Sequence, residues 1–261
     1  MNDDIRTALV TYLTALGDDE FMLGHRDSEW TGLGPIIEED IAFSSMAQDE
    51  LGHALGIFEL THALGASDAD TYAFHRAPGE YRNAVLTELP RGDYAFSLMR
   101  RYLYDAAENE RLTGLATSAD DRVRELAAKM LQEERYHMMH GVMMVERLAG
   151  GTEVSRIRMQ SALDECFPYA LGLFEGVPGQ GVLVAEGLVP DEAQVRARWL
   201  ARVVPQLAGF GLQVPAQLEG ESWVPSVDAV TGGRTGAHTE HLLAILEAIT
   251  MLSNADPDAR W

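Results

Sequence analysis

The chain has 261 residues, 46% of them apolar, which is enough for one large domain with a full core. Its 41 acidic residues against 20 basic ones give a formal charge of -21, which argues against nucleic acid or an anionic membrane as the main partner. The single cysteine, Cys166, rules out an intrachain disulfide and a cysteine-based zinc site, and no apolar run approaches membrane-spanning length. The N-terminal stretch is acidic and amphipathic, unlike a basic signal peptide, so the expected location is the cytoplasm.

Helical periodicity dominates, no convincing strand alternation is visible, and the expected fold class is all-α. A first helix is predicted from about Asp3 into the twenties, with Leu9, Leu13, Leu16 and then Glu20 on one face. After the "GLGP" break at 32–35, Pro35 suits the first turn of a second helix, which lasts until "LGASDAD" at 64–70. Along that helix Phe43, Met46, Ile57 and Leu60 step by three and four, and Glu50 and His53 fall in step with them. Residues 70–92 read as an irregular connection punctuated by Pro90 and Gly92. Asp93 is the expected cap of a third helix running to about Leu115, with Leu98, Tyr102, Asp105 and Leu112 on one seam. A fourth helix, about 121–149, carries Met130, Glu134, His137, Gly141 and Met144 on one seam and stops at Gly150 and Gly151. Further helices are expected near 153–175 and 190–209, separated by a Gly-rich segment, and a last one at about 236–253. The chain thus reads as one domain over 1–261, with a core bundle at about 3–149 and a helical extension at about 150–261.

A charged side chain facing a core is costly unless something pairs with it. Four helices each direct a carboxylate inward: Glu20, Glu50, Asp105 and Glu134. Two of them add a histidine three residues on, His53 and His137, in "ELGH" and "ERYH". The i, i+3 spacing puts each Glu–His pair on one helical face. One carboxylate from each of two helices, with Glu-x-x-His from two others, is the ligand pattern of ferritin-like di-iron proteins. Carboxylate and imidazole without thiolate suit two iron ions, with manganese as the other candidate. Glu108 is the alternative to Asp105 as ligand. Asp49 and Glu133 are surface acids or supports of the ligands, and His140 packs or plays a similar supporting part. Glu38 and Glu39 suit a helix N-terminus. His238 and His241 read as capping and packing residues, and the methionines of "MMHGVMM" as core filler.

The stretches "LGHRDSEW" (23–30), "EYRNAVLTELPRGDYAFSLMRRYLYDA" (80–106), "RYHMMHG" (135–141) and "GGRTGAHTEHL" (232–242) resemble the phenylacetic acid catabolic family. The likeness is to the C-type subunit of multicomponent phenylacetyl-CoA epoxidases and runs from about residue 10 to Trp261. It implies a ferritin-like fold and a cytosolic complex. There, an A-type subunit holds a di-iron centre and binds the CoA thioester, and an iron–sulfur flavin reductase supplies electrons. The C-type subunit is usually a metal-free structural partner, yet "AQDELGHA" here is similar to the catalytic A-type stretch. The resemblance carries the ligand role to Glu20, Glu50, His53, Asp105, Glu134 and His137.

Aerobic phenylacetate breakdown is the implied pathway, and oxygen activation with ring epoxidation of an aromatic acyl-CoA is the implied chemistry. Phe21, Tyr102 and Tyr136 are expected walls of an aryl pocket. The arginines of "MRRYLY", with Arg82 and Arg91, form the one obvious concentration of base for CoA phosphates, or are ordinary ion-pair partners. The expected assembly is a homodimer or a heterodimer with an A-type subunit. The other reading implied is a scaffold subunit that does no chemistry.

Overall fold

Short polar side chains start most of the long helices by accepting a backbone N–H in the first turn. Asp93 accepts from Phe96 at 2.9 Å, Asp120 from Arg122 at 3.0 Å, Thr152 from Ser155 at 3.1 Å and Asp191 from Ala193 at 2.8 Å. The computed structural model describes residues 1–255. They are all-α, in keeping with the ferritin-like expectation, apart from one small hairpin. The elements are α1 (Asp3–Ser28), α2 (Ile37–Ala63), α3 (Ala69–Phe74), α4 (Val85–Glu88), α5 (Tyr94–Leu115) and α6 (Asp121–Ala149). They continue with α7 (Glu153–Leu171), α8 (Gln180–Ala185), α9 (Glu192–Gly209), strands β1 (Ala216–Glu219) and β2 (Ser222–Pro225), and α10 (Glu240–Ala255). Among the described residues, no helix is long and apolar enough to cross a membrane.

Several details differ from the sequence reading. Helix α2 begins at Ile37, so Pro35 lies ahead of the first turn, where Asp40 accepts from the Gly34 N–H at 3.1 Å. The 70–92 connection holds two short helices and a 3-10 turn at Pro78–Glu80. Helix α8 forms inside the Gly-rich segment. Strands β1 and β2 pair antiparallel with Ala216 opposite Pro225 and Glu219 opposite Ser222, too short for alternation to register in the sequence.

The contacts group the chain into two compact units. One comprises Val10–Pro90 with the described residues from Gly232 onward. In it Phe21 and Met22 of α1, Ala54 and Phe58 of α2, Tyr81, and Leu242 and Ile245 of α10 share one core. Gly24 lets α1 and α2 meet closely: a Cβ there would sit 3.0 Å from Leu51 Cγ and 3.1 Å from both the Ala47 carbonyl and Glu50 Cβ.

The three consecutive acids of α1, Asp18, Asp19 and Glu20, cannot share a face, because successive helical residues turn by about 100°. Two of them fasten loops. Asp18 pairs with Arg76 and accepts from the Arg82 N–H at 2.7 Å. Asp19 accepts from the Ala84 N–H at 2.6 Å and from Arg234 at 2.5 Å. The 232–239 segment, whose end was expected to be helical, is therefore a strap. Gly233 permits its approach, since a Cβ would meet the Asn83 carbonyl oxygen at 2.1 Å.

His238 completes the strap. Its Nδ1 is 2.7 Å from Glu88 Oε2 and its Nε2 is 3.0 Å from the Tyr81 carbonyl. Both partners are acceptors, so the ring carries two protons. Burial opposes that charge, but the bonds to Glu88 and Tyr81 raise the His238 pKa. Burial likewise works against ionised Glu88, and the bonds from His238 and Thr239 outweigh it, lowering its pKa. His238 therefore adds stability that is complete below its unfolded pKa of about 6.5 and is lost as pH rises through the higher folded value. Glu88 adds stability above its unfolded pKa, lost as pH falls through the lower folded one. Thermal melts should show His238→Gln destabilising more at pH 6 than at pH 9. Equal penalties at both pH values would contradict the charged assignment.

The second unit comprises Met1–Leu9 with Arg91–Thr231. Its centre is α5, buried along nearly its whole length and packed by α6, α7 and α9. Trp199 of α9 donates to the Leu103 carbonyl at 3.0 Å and stacks on Phe167 of α7 with ring centroids 5.6 Å apart. Because α5 has almost no solvent face, most of its charged residues are buried too: Arg100, Arg101, Asp105, Glu108 and Arg111.

Candidate metal centre

In the first unit, Glu20 projects from α1 toward Glu50 and His53, which sit one turn apart on α2. All three are buried. His53 Nδ1 lies 3.5 Å from Glu20 Oε2 and 3.6 Å from Glu50 Oε2. One donor atom from each side chain falls within 4.8 Å of the other two. Bonds of about 2.1 Å to a common ion would separate such donors by up to about 4.2 Å, so little movement is needed to close on one.

The electrostatics of the trio follow from burial and from two like charges side by side. Burial first, then the neighbouring Glu50 carboxylate, hold the Glu20 pKa well above the ordinary carboxylate range. Burial alone would lower His53, yet hydrogen bonding and attraction to Glu20 and Glu50 raise it to about 12. A divalent ion binding here would therefore compete with protons. Two carboxylates and an imidazole form an N/O donor set suited to first-row ions such as iron or manganese. These residues fit a metal ion.

In the second unit, Asp105 of α5 and Glu134 and His137 of α6 are all buried. A carboxylate oxygen of Asp105 and a ring nitrogen of His137 lie within 4.8 Å of one another, and His137 Nδ1 is 3.0 Å from Glu134 Oε1. The surroundings differ from those of the first trio, because a buried guanidinium joins the group. Arg101 Nη2 lies 2.8 Å from His137 Nδ1, and its Nε lies 3.4 Å from Asp105 Oδ2. A divalent ion about 4 Å from that charge would be repelled by about 8 kcal/mol at an effective dielectric of about 20. That charge opposes a second ion among these three side chains.

The remaining residues singled out in the sequence are placed as follows. Glu108, the alternative to Asp105, is bound to Arg111 at 2.8 Å, and Arg111 also reaches Glu192 at 3.1 Å. Phe21 is buried in an edge-to-face cluster with His25, Phe58 and Phe74. Tyr102 is buried and its hydroxyl donates to Gln206 at 2.8 Å. Tyr136 is 43% exposed. Asp49 and Glu133 are half-buried, and His140 is buried with its ring 6.3 Å from that of Tyr136. Arg100 and Arg101 are buried, so the two arginines of "MRRYLY" do not face solvent, whereas Arg82 and Arg91 are half-buried, Arg82 donating to the Gly79 and Tyr81 carbonyls.

Asp18, Asp19, Glu88 and Arg234 fasten the loops of the first unit, a role that nothing in the sequence pattern marks. The sequence reading also gave Arg101 and Arg111 no part in the centre of the second unit. The available signal was the density of charged residues along α5, spaced so that some had to be buried whichever face was turned inward.

The chain is 33% identical over 254 residues to the C component of the 1,2-phenylacetyl-CoA epoxidase of Escherichia coli (strain K12), covering 97% of this chain and 99% of that one. It is 22% identical over 220 residues to the A component of the same enzyme, covering 82% of this chain and 71% of the relative. A family model described as "Phenylacetic acid catabolic protein" matches residues 1–261, and with that full-length match the chain belongs to the phenylacetic acid catabolic protein family.

Proposed function

We propose that this chain is a cytoplasmic component of a phenylacetyl-CoA epoxidase-type monooxygenase, standing in the C-type position beside an A-type partner and retaining a metal-competent carboxylate–histidine centre. The observation that carries the metal part is the buried trio of Glu20, Glu50 and His53, with donor atoms within 4.8 Å of one another. The partnership rests on likeness over 97% of the chain to a relative that is itself a C-type component.

In this reading Glu20 and Glu50 would hold the ion through carboxylate oxygens, and His53 would do so through Nδ1, the ring nitrogen that faces them. An iron or manganese ion held there would supply the redox capacity for inserting one atom of dioxygen into the ring of an aromatic acyl-CoA, the other atom leaving as water with two electrons and two protons. The imidazole of His53 would have to be neutral at Nδ1 to hold the ion, so binding would compete with the proton there. Electrons come from an iron–sulfur flavin reductase.

One observation favours a second reading: Arg101 occupies the Asp105–His137 contact, an arrangement that a component doing no chemistry would tolerate. Such a component would only stabilise its A-type partner. Co-expression with an A-type partner separates the two. The chains should co-purify and, with reductase, consume oxygen in response to phenylacetyl-CoA. Replacing Glu20 and Glu50 by Gln in this chain should lower that activity at least tenfold while leaving the complex intact. Full activity with the variant would select the scaffold reading, and failure to co-purify would overturn the assignment to such a complex.

A further inference from the structure

We infer that Arg101 is an internal cation standing in place of a second metal ion, so that Asp105, Glu134 and His137 bind no metal in the native chain. The inference deepens the metal reading above and rests on it only for the first ion.

The two Glu-x-x-His motifs share a spacing and a helical face, yet their histidines meet opposite charges. His53 Nδ1 faces two carboxylates, Glu20 at 3.5 Å and Glu50 at 3.6 Å. His137 Nδ1 faces Glu134 at 3.0 Å and the Arg101 guanidinium at 2.8 Å. A guanidinium only donates and does not lose its charge in proteins. Against Arg101, His137 Nδ1 must accept; against Glu134 it must donate. Either tautomer engages the one nitrogen that corresponds to the metal-facing atom of His53.

Arg101 is also well placed to persist. It lies one turn before Asp105 on α5, so their pairing is set by the helix itself and needs no tertiary adjustment. The helix is buried around them, and the guanidinium, the two carboxylates and the imidazole are all inaccessible to solvent. Removing a buried cation from beside two buried carboxylates strips them of that compensation. The same carboxylates, with His137 released, would make a vacated ligand set of the kind found in the first unit. The arginine therefore opposes a second ion in two ways, by its charge and by engaging a ligand atom.

The test is metal stoichiometry on the full chain, loaded anaerobically with Mn(II) alone and read by elemental analysis and by electron paramagnetic resonance. The wild type should bind one ion per chain with the spectrum of an isolated Mn(II). Arg101→Met should bind two. Arg101→Lys, which keeps the charge and guards against a folding defect in the methionine variant, should stay at one. Two ions in the wild type, one in Arg101→Met, or two in Arg101→Lys would each overturn the inference. No ion in the wild type would instead overturn the metal reading of the first trio. In that case Arg101→Met decides alone: one ion, lost again on adding Glu134→Gln, sustains the role of Arg101, and none refutes it.

Discussion

Glu50→Gln combined with His53→Ala should abolish metal binding at the first trio while leaving the helices intact. Changing residues that merely support a metal ligand weakens affinity by about 10- to 100-fold, so deleting two of three direct ligands should exceed the upper figure. The effect also appears in stability. An ion present at about 100 times its dissociation constant adds about 2.7 kcal/mol to the native state. For a chain of this size that is a rise of roughly 5 to 10 °C in Tm. Wild type should show that rise with Mn(II) and the double variant should show none. Each protein is compared with its own metal-free form, because His53→Ala also leaves a cavity and takes from Glu20 its imidazole partner. A variant that still gains stability from Mn(II) would mean that the ion sits elsewhere.

Arg111→Met should be the most destabilising single change in the second unit, by about 3–5 kcal/mol. Arg111 is 1% exposed and donates to Glu108, to both oxygens of Glu192 and to the Leu173 carbonyl. Methionine fills much of the volume but leaves two carboxylates and a carbonyl without that donor. Adding Glu108→Gln should recover part of the loss, because one of the stranded charges is then gone. Urea unfolding of the single and double variants measures both effects. A loss under about 1 kcal/mol for Arg111→Met would show that other partners carry these groups.

Much of this molecule is legible in its sequence because the long helices announce themselves twice, by periodicity and by cap. Asp93 and Asp120 stand where a capping side chain is needed, and α5 and α6 begin one residue later. Glu50 and His53 were conspicuous because they interrupt an otherwise apolar stripe on α2, and they prove to be buried with Glu20. Periodicity fails where an element has no solvent side. On α5 it could not separate Asp105 from Glu108, since both are buried; only their partners, Arg101 and Arg111, tell them apart.

It fails again where acids read as a solvated run. Asp18 and Asp19 look like surface charge beside Glu20, yet each is buried and satisfied by residues more than fifty positions away. Long-range ion pairs leave no local signature. Short elements such as α4, α8 and the β1–β2 hairpin are missed for the opposite reason: four to six residues complete too little of either period to stand out.

The most direct test of the metal reading is an anomalous difference map, recorded at the iron edge from crystals of this chain loaded anaerobically with Fe(II). The expected result is a peak bounded by the Glu20 and Glu50 carboxylates and His53 Nδ1. A map with no peak there, or with its peak against Asp105, Glu134 and His137 instead, would contradict it.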